Sequence, residues 1–144
     1  APLFFLARAL AEAGATPAVF YGGRTAADVP LADKFAAAGF ETHLSTDDGS
    51  LGFAGFVTAL VETEMDRSAP AIVYACGPDP MMKALAGITA RRRVPAEFSL
   101  ESVMGCGVGA CWGCVHRIRD GASDGWVKIC EEGPVFPGER ILWP

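Results

Sequence analysis

This 144-residue chain has no stretch approaching the roughly 20 consecutive apolar residues of a membrane-spanning helix. Basic residues are outnumbered, 12 against 17 acidic, for a formal charge of −5. That argues against nucleic acid or an anionic membrane as a partner. The one basic run, Arg91-Arg92-Arg93, follows an expected helix and reads as its solvated C-terminal end, complementing the helix dipole. Histidine is nearly absent. His43 and His116 lie far apart in sequence, which sets aside a Rieske-type centre with two imidazole ligands. No signal peptide, internal repeat or low-complexity segment is visible. There is no initiator Met, and the first helix lacks the strand that should precede it, so the chain reads as a fragment of something longer.

What is present points to a packed α/β protein. Half of the residues are hydrophobic, which a disordered chain would not be. Leu3, Leu6, Ala7 and Leu10 follow helical spacing up to a capping Gly14. Ala18 to Tyr21 reads as a buried strand ended by Gly22-Gly23, Leu31 to Ala38 as a helix stopped by Gly39, and Phe40 to Ser45 as a strand. A turn cluster at 46–50 precedes a helical stripe of Phe53, Phe56, Val57 and Leu60 that runs to about Arg67. Ala71 to Ala75 is an apolar strand broken by Cys76-Gly77-Pro78, and Met81, Ala84, Leu85 and Ile88 stripe the next helix. This alternation predicts a parallel sheet with crossover helices, whose ligands bind at the carboxyl ends of the strands. After about residue 95 the pattern changes to short strands, at Glu97–Leu100, Val115–Arg119 and Trp126–Cys130. Asp120 to Gly125 forms a turn, Glu131 to Pro134 forms another, and Ile141–Trp143 is placed to close a small sheet.

Five cysteines are present, an odd number. Four crowd into one segment, unlike the evenly stapled framework of a small secreted domain. Their spacing, Cys106-x4-Cys111-x2-Cys114-x15-Cys130, is the plant-type spacing of a 2Fe–2S cluster. The residues between them are mostly small. Glycines there let backbone N–H groups reach the sulfurs and supply positive φ without steric cost. Structural zinc is the competing reading, but it usually shows two separated Cys-x2-Cys pairs, and here there is one. Cys76-Gly77-Pro78-Asp79-Pro80-Met81 sits where a strand gives way to a helix, with Gly77 allowing close backbone approach to a ligand. By residue type alone Cys76 reads equally as a small buried hydrophobe.

The Cys-Gly-Pro-x-Pro-Met motif resembles the NAD(P)-binding motif of ferredoxin reductase-like flavoproteins. Followed by the cluster loop and by Cys130-x-x-Gly133-Pro134-Val135-Phe136, the whole resembles the electron transfer subunits of class 1B dihydroorotate dehydrogenases. The resemblance implies a Rossmann-like NAD-binding domain over 1–97, its first strand missing, and a small β-rich 2Fe–2S domain over 98–144. The family's FAD-binding barrel lies outside this sequence, so the fragment alone is expected to be inactive. The resemblance implies Cys106, Cys111, Cys114 and Cys130 as cluster ligands, the first two on one iron and the last two on the other. It places Cys76, Gly77 and Pro78 beside the nicotinamide, and Gly22 and Arg24 towards the adenosine. Asp47 and Asp48 stand where NADP-dependent relatives tend to carry Ser and Arg, which favours NAD, although a turn accounts for them as well. The implied cofactors are the 2Fe–2S cluster, FAD in the intact protein, and NAD. The implied partner is an FMN-containing dihydroorotate dehydrogenase subunit, in a cytoplasmic heterotetramer of two plus two for pyrimidine synthesis. No side chain of the fragment is implied as a catalytic acid or base. Related ferredoxin–NADP and sulfide oxidoreductase subunits look similar but often carry Asp at the position of Cys106.

Overall fold

A computed structural model describes residues 2–121 and 123–144. Ala1, where the sequence opens its first helix, and Ala122, within the expected hairpin turn, lie outside the described residues. The chain forms two compact units, Ala1–Ala69 and Pro70–Pro144.

In the first unit, helix α1 (Pro2–Glu12) is followed by strand β1 (Ala18–Gly23), helix α2 (Ala32–Ala37), strands β2 (Glu41–Thr46) and β3 (Phe53–Ala54), and helix α3 (Val57–Arg67). The sheet runs β1-β2-β3, all parallel, with Ala18 opposite Glu41 and Gly23 opposite Thr46. Helix α1 buries Ala7, with Leu3, Leu6 and Leu10 half-buried, as its periodicity predicts. Phe35 on α2 is buried and gathers the rings of Phe4, Tyr21 and Phe40 at centroid distances of 5.2, 6.1 and 6.4 Å. The stripe from Phe53 is not one helix. Gly52 (φ +70) and Gly55 (φ +141) flank Phe53–Ala54 and hold it extended beside β2, and α3 begins only at Val57. Phe56, expected on the buried face, is 69% exposed at the helix start.

The second unit contains strand β4 (Val73–Cys76), helix α4 (Asp79–Arg92), strand β5 (Ala96–Ser99), the hairpin β6 (Val115–Asp120) and β7 (Ser123–Lys128), a short helix α5 (Ile129–Glu132), and strand β8 (Val135–Pro137). Strand β4 pairs parallel with β5, and β5 pairs antiparallel with β8. Phe98 on β5 has no exposed surface and packs edge-on to Trp143 at 5.8 Å. On α4 the buried stripe is Met82, Leu85, Ile88 and Thr89, rotated by one position at its start from the expected Met81, while Ala84 is exposed. The domain boundary expected at 97/98 falls inside β5, which pairs with β4 on one side and β8 on the other.

Three further local differences have plain causes. Strand β7 takes in Ser123 to Gly125, because Asp120 pairs with Ser123 and the hairpin turn is tighter than the Asp-Gly pattern suggests. Strand β7 also stops at Lys128. Ile129 N–H donates to Cys114 O at 3.0 Å and Lys128 N–H to the Glu132 carboxylate at 2.7 Å, which turns the chain into α5 and places Cys130 on a helical turn. Ile141 makes an isolated bridge to Ile118 rather than opening a strand, and β8 takes the sheet edge instead. The architecture is α/β with parallel strands and crossover helices, plus a small β-rich segment around the cysteines.

Candidate functional site

The four clustered cysteines come from two stretches, the loop 106–114 and the turn that follows β7. Cys106 is exposed, Cys114 is buried, and Cys111 and Cys130 are half-buried. The thiols influence one another, Cys106 with Cys111 and Cys114 with Cys130, and Cys106 also acts on Cys130. Backbone donors surround them. Cys111 N–H donates to Cys106 Sγ at 3.3 Å, and Gly113 N–H to Cys111 Sγ at 3.5 Å. The N–H of Val108, then that of Cys111, hold the Cys106 thiol down to about 6. The Cys130 N–H, then the Cys130 thiol, lower Cys114, while Cys114 and burial push Cys130 up. A Cβ at Gly105 or Gly113 would stand 3.3 or 3.4 Å from Cys111 Sγ, so the glycines leave the sulfur room. This donor set suits bound thiolates, because N–H groups favour the charged form and tune the potential of a cluster. Among the described residues no three His, Cys, Asp or Glu side chains converge on a single point. His116, on β6, packs against Trp143 at 6.0 Å, and His43 stacks on Phe20 at 4.7 Å.

The dinucleotide candidates fall into two groups. In the first unit the ends of β1 and β2 are tied together: Asp47 N–H donates to Gly23 O and Asp48 N–H to Arg24 O, both at 3.1 Å. Gly22, Arg24, Asp47 and Asp48 therefore share one sheet end. Gly22 has a packing reason of its own, since a Cβ there would meet Val57 Cβ at 2.6 Å. Asp48 holds the turn. Its carboxylate accepts from Ser50 Oγ at 2.6 Å and Ser50 N–H at 2.9 Å, and these bonds lower its pKa. Asp47 is exposed. In the second unit Cys76 ends β4, Gly77 follows, and Pro78 caps α4. Cys76 Sγ lies 3.5 Å from Glu101 Oε1. Burial, then Glu101, push this thiol up, so it stays protonated at neutral pH.

Residues 101–142 match the family model of the iron-sulfur cluster binding domain of dihydroorotate dehydrogenase B. Over 143 residues the chain is 41% identical to the dihydroorotate dehydrogenase B (NAD(+)) electron transfer subunit of Desulforamulus reducens, covering 99% of this chain and 55% of that protein. It is 44% identical to the corresponding subunit of Shouchella clausii over 98% of this chain and 53% of that protein. Over nearly its whole length the chain is similar to dihydroorotate dehydrogenase B electron transfer subunits. It spans about half the length of the curated relatives it matches. A chain from the solved structure of an NADH-dependent reduced ferredoxin-NADP oxidoreductase superposes with a TM-score of 0.83 at 31% identity, covering 98% of this chain and 49% of that one.

Two further residues, Glu101 and Lys128, touch the candidate groups and carry no signal of it in the sequence. Glu101, the first residue of the matched segment, meets Cys76 although 25 positions separate them. Nothing in the sequence pairs them, because Leu100 ends the expected strand before Glu101 and the contact depends on the parallel pairing of β4 with β5. Lys128 lies two residues before a ligand candidate and reads as an ordinary strand-end cation until the fold sets it over Trp112.

Proposed function

We propose that this chain is the NAD-side and cluster-side portion of an electron transfer subunit serving dihydroorotate oxidation in pyrimidine (UMP) synthesis. The observation that carries the reading is the meeting of three cysteines of a glycine loop with Cys130 of the turn after β7, with loop N–H groups donating to Cys106 Sγ and Cys111 Sγ. The ligand spacing, with one Cys-x2-Cys pair rather than two, suits a 2Fe–2S cluster over a lone zinc. A bound 2Fe–2S cluster, with FAD and NAD in the intact protein, supplies the one-electron and hydride chemistry that links an FMN-containing catalytic subunit to NAD.

The residues of this chain hold and orient. Cys106, Cys111, Cys114 and Cys130 grip the cluster, and the loop N–H groups stabilise negative charge on their sulfurs. Residues 98–144 serve the cluster and residues 1–97 the dinucleotide. Cys76, Gly77 and Pro78 face the nicotinamide, where a protonated thiol and a small residue leave the ring room. Gly22 and Arg24 lie towards the adenosine. Val103, Val108 and Trp112 on the cluster loop are 87, 77 and 67% exposed, an apolar rim suited to cover by the catalytic subunit in a two-plus-two cytoplasmic assembly. No helix among the described residues is long and apolar enough to cross a membrane.

The test is metal and sulfide analysis of anaerobic protein, with an EPR spectrum after dithionite. About two irons and two sulfides per chain with a rhombic reduced signal are expected. Zinc without an EPR signal, persisting after reconstitution with iron and sulfide, would sink the reading. Cofactor choice gives a second prediction. Replacing Asp47 by Ser and Asp48 by Asn removes two carboxylates from the site of a 2′-phosphate. In the assembled enzyme it should shift the kcat/KM ratio of NADPH over NADH upward by about tenfold. An unchanged ratio would move these residues away from the ribose.

A second reading, a subunit of a related NAD(P)–ferredoxin oxidoreductase, is favoured by the structural likeness at TM-score 0.83. Cys106 weighs against it, since those loops often place Asp there. Co-purification with an FMN-containing subunit separates the two.

A further inference from the structure

The loop 106–114 and the turn after β7 must stay together for four sulfurs from both to serve one cluster. At their base the backbone does this, through the pairing of Val115 with Lys128 and the bond from Ile129 N–H to Cys114 O. Further out, beside the contacts of Gly109 N–H and Cys114 with the Cys130 thiol, the side chain of Lys128 adds a tie. Its Nζ lies 3.0 Å from Glu131 Oε2 and 5.2 Å from the centroid of the Trp112 ring. Trp112 stands between Cys111 and Cys114, and Glu131 follows Cys130. The same Glu131 carboxylate closes over the loop at Gly109, where an added Cβ would meet Oε2 at 2.5 Å. The Lys128 side chain is 22% exposed against 55% for Glu131, so the lysine is tucked between ring and carboxylate. One face stays open to solvent, as a recess of about 270 Å³ lined by Trp112, Trp126, Lys128, Glu131 and Glu132.

We propose that Lys128 is a latch, a positioning residue that closes the cluster loop onto the Cys130 turn and sets how fast bound iron is lost. This rests on the reading of the four cysteines as cluster ligands. A cluster gripped by sulfurs from both stretches would lose iron more readily once the loop parts from the turn. Parting breaks the cation–π contact and, because Glu131 sits on the turn side, leaves the ammonium paired on one side only. Each contact is modest by itself. They act together, because a single ammonium satisfies both.

The experiment uses the cluster-loaded full-length electron transfer subunit without its catalytic partner, whose docking would cover Trp112, held anaerobically and challenged with excess iron chelator, with decay of the visible cluster absorbance as the readout. Lys128→Met should release iron about fivefold faster than wild type, and Lys128→Arg, which keeps a cation able to stack on Trp112, should restore the slow rate. Trp112→Leu should accelerate release to a similar degree, and the double variant should be no faster than either single one, because both remove the same contact. Release from Lys128→Met at the wild-type rate, or multiplicative effects in the double variant, would overturn the latch. If wild type itself takes up no cluster, the proposed function falls, and the latch with it.

Discussion

Cys111→Ser should leave the protein without its cluster: iron falls from about two per chain to near zero, and dihydroorotate-dependent NADH formation in the reconstituted complex drops at least about a hundredfold. The reason is local. Cys111 is the thiol partner of Cys106, its sulfur accepts from Gly113 N–H at 3.5 Å, and its own N–H supports Cys106 at 3.3 Å. A serine hydroxyl neither ionises at neutral pH nor matches the softness of thiolate towards iron. Cys76→Ser is the control. Its sulfur faces Glu101 rather than the other thiols, so that variant should keep its iron. Iron analysis and NADH absorbance check both. A Cys111→Ser protein with two irons and undiminished NADH formation would remove this residue from the ligand set.

Gly52→Ala should be the most destabilising single-methyl change in the first unit. Gly52 takes φ +70, and a Cβ there would overlap the carbonyl oxygen of Leu44 and stand 2.6 Å from its carbon. The obstacle is backbone of the neighbouring strand β2, so no rotamer relieves it. The left-handed backbone costs an alanine about 1–2 kcal/mol and the overlap about 1–3 more, for a fall in Tm of about 10 °C. The turn it closes is the one that carries Asp47 and Asp48. Buried Thr46 holds that turn, exchanging hydrogen bonds with Leu51 N–H and C=O, both at 2.9 Å. NAD affinity should therefore weaken alongside stability. Gly39→Ala separates the two costs: Gly39 has φ +82 but nothing within 4 Å of an added Cβ. Thermal unfolding in which both variants lose the same stability would show that close approach to Leu44 is not what Gly52 is for.

The parts of this molecule that were legible beforehand share a property. Each depends on residues near one another in sequence. The 3.6-residue period of α1, the glycines that end α1 and α2, the apolar run of β4 and the four-cysteine spacing are all local signals. The errors arise where a distant strand decides. Phe53 fits a helical stripe, yet two glycines and the edge of β2 draw it into a strand. Val135 to Pro137, three residues ended by a proline, carries almost no strand signal, but β5 offers it an edge. Cys130 looks like the end of a strand until Cys114 O captures Ile129 N–H and the Glu132 carboxylate captures Lys128 N–H.

The cysteine spacing and the Cys-Gly-Pro motif were therefore enough, by themselves, to point to a kind of chemistry and to the residues to test, because ligand spacing and turn chemistry are written within short windows. Tertiary structure alone decided how those residues are used. It set Glu101 against Cys76 and laid Lys128 over the Trp112 ring. Each of these contacts needs a strand register or a loop closure to bring its groups within a few ångströms. Register is settled by packing across the whole sheet, not by the residues it brings together.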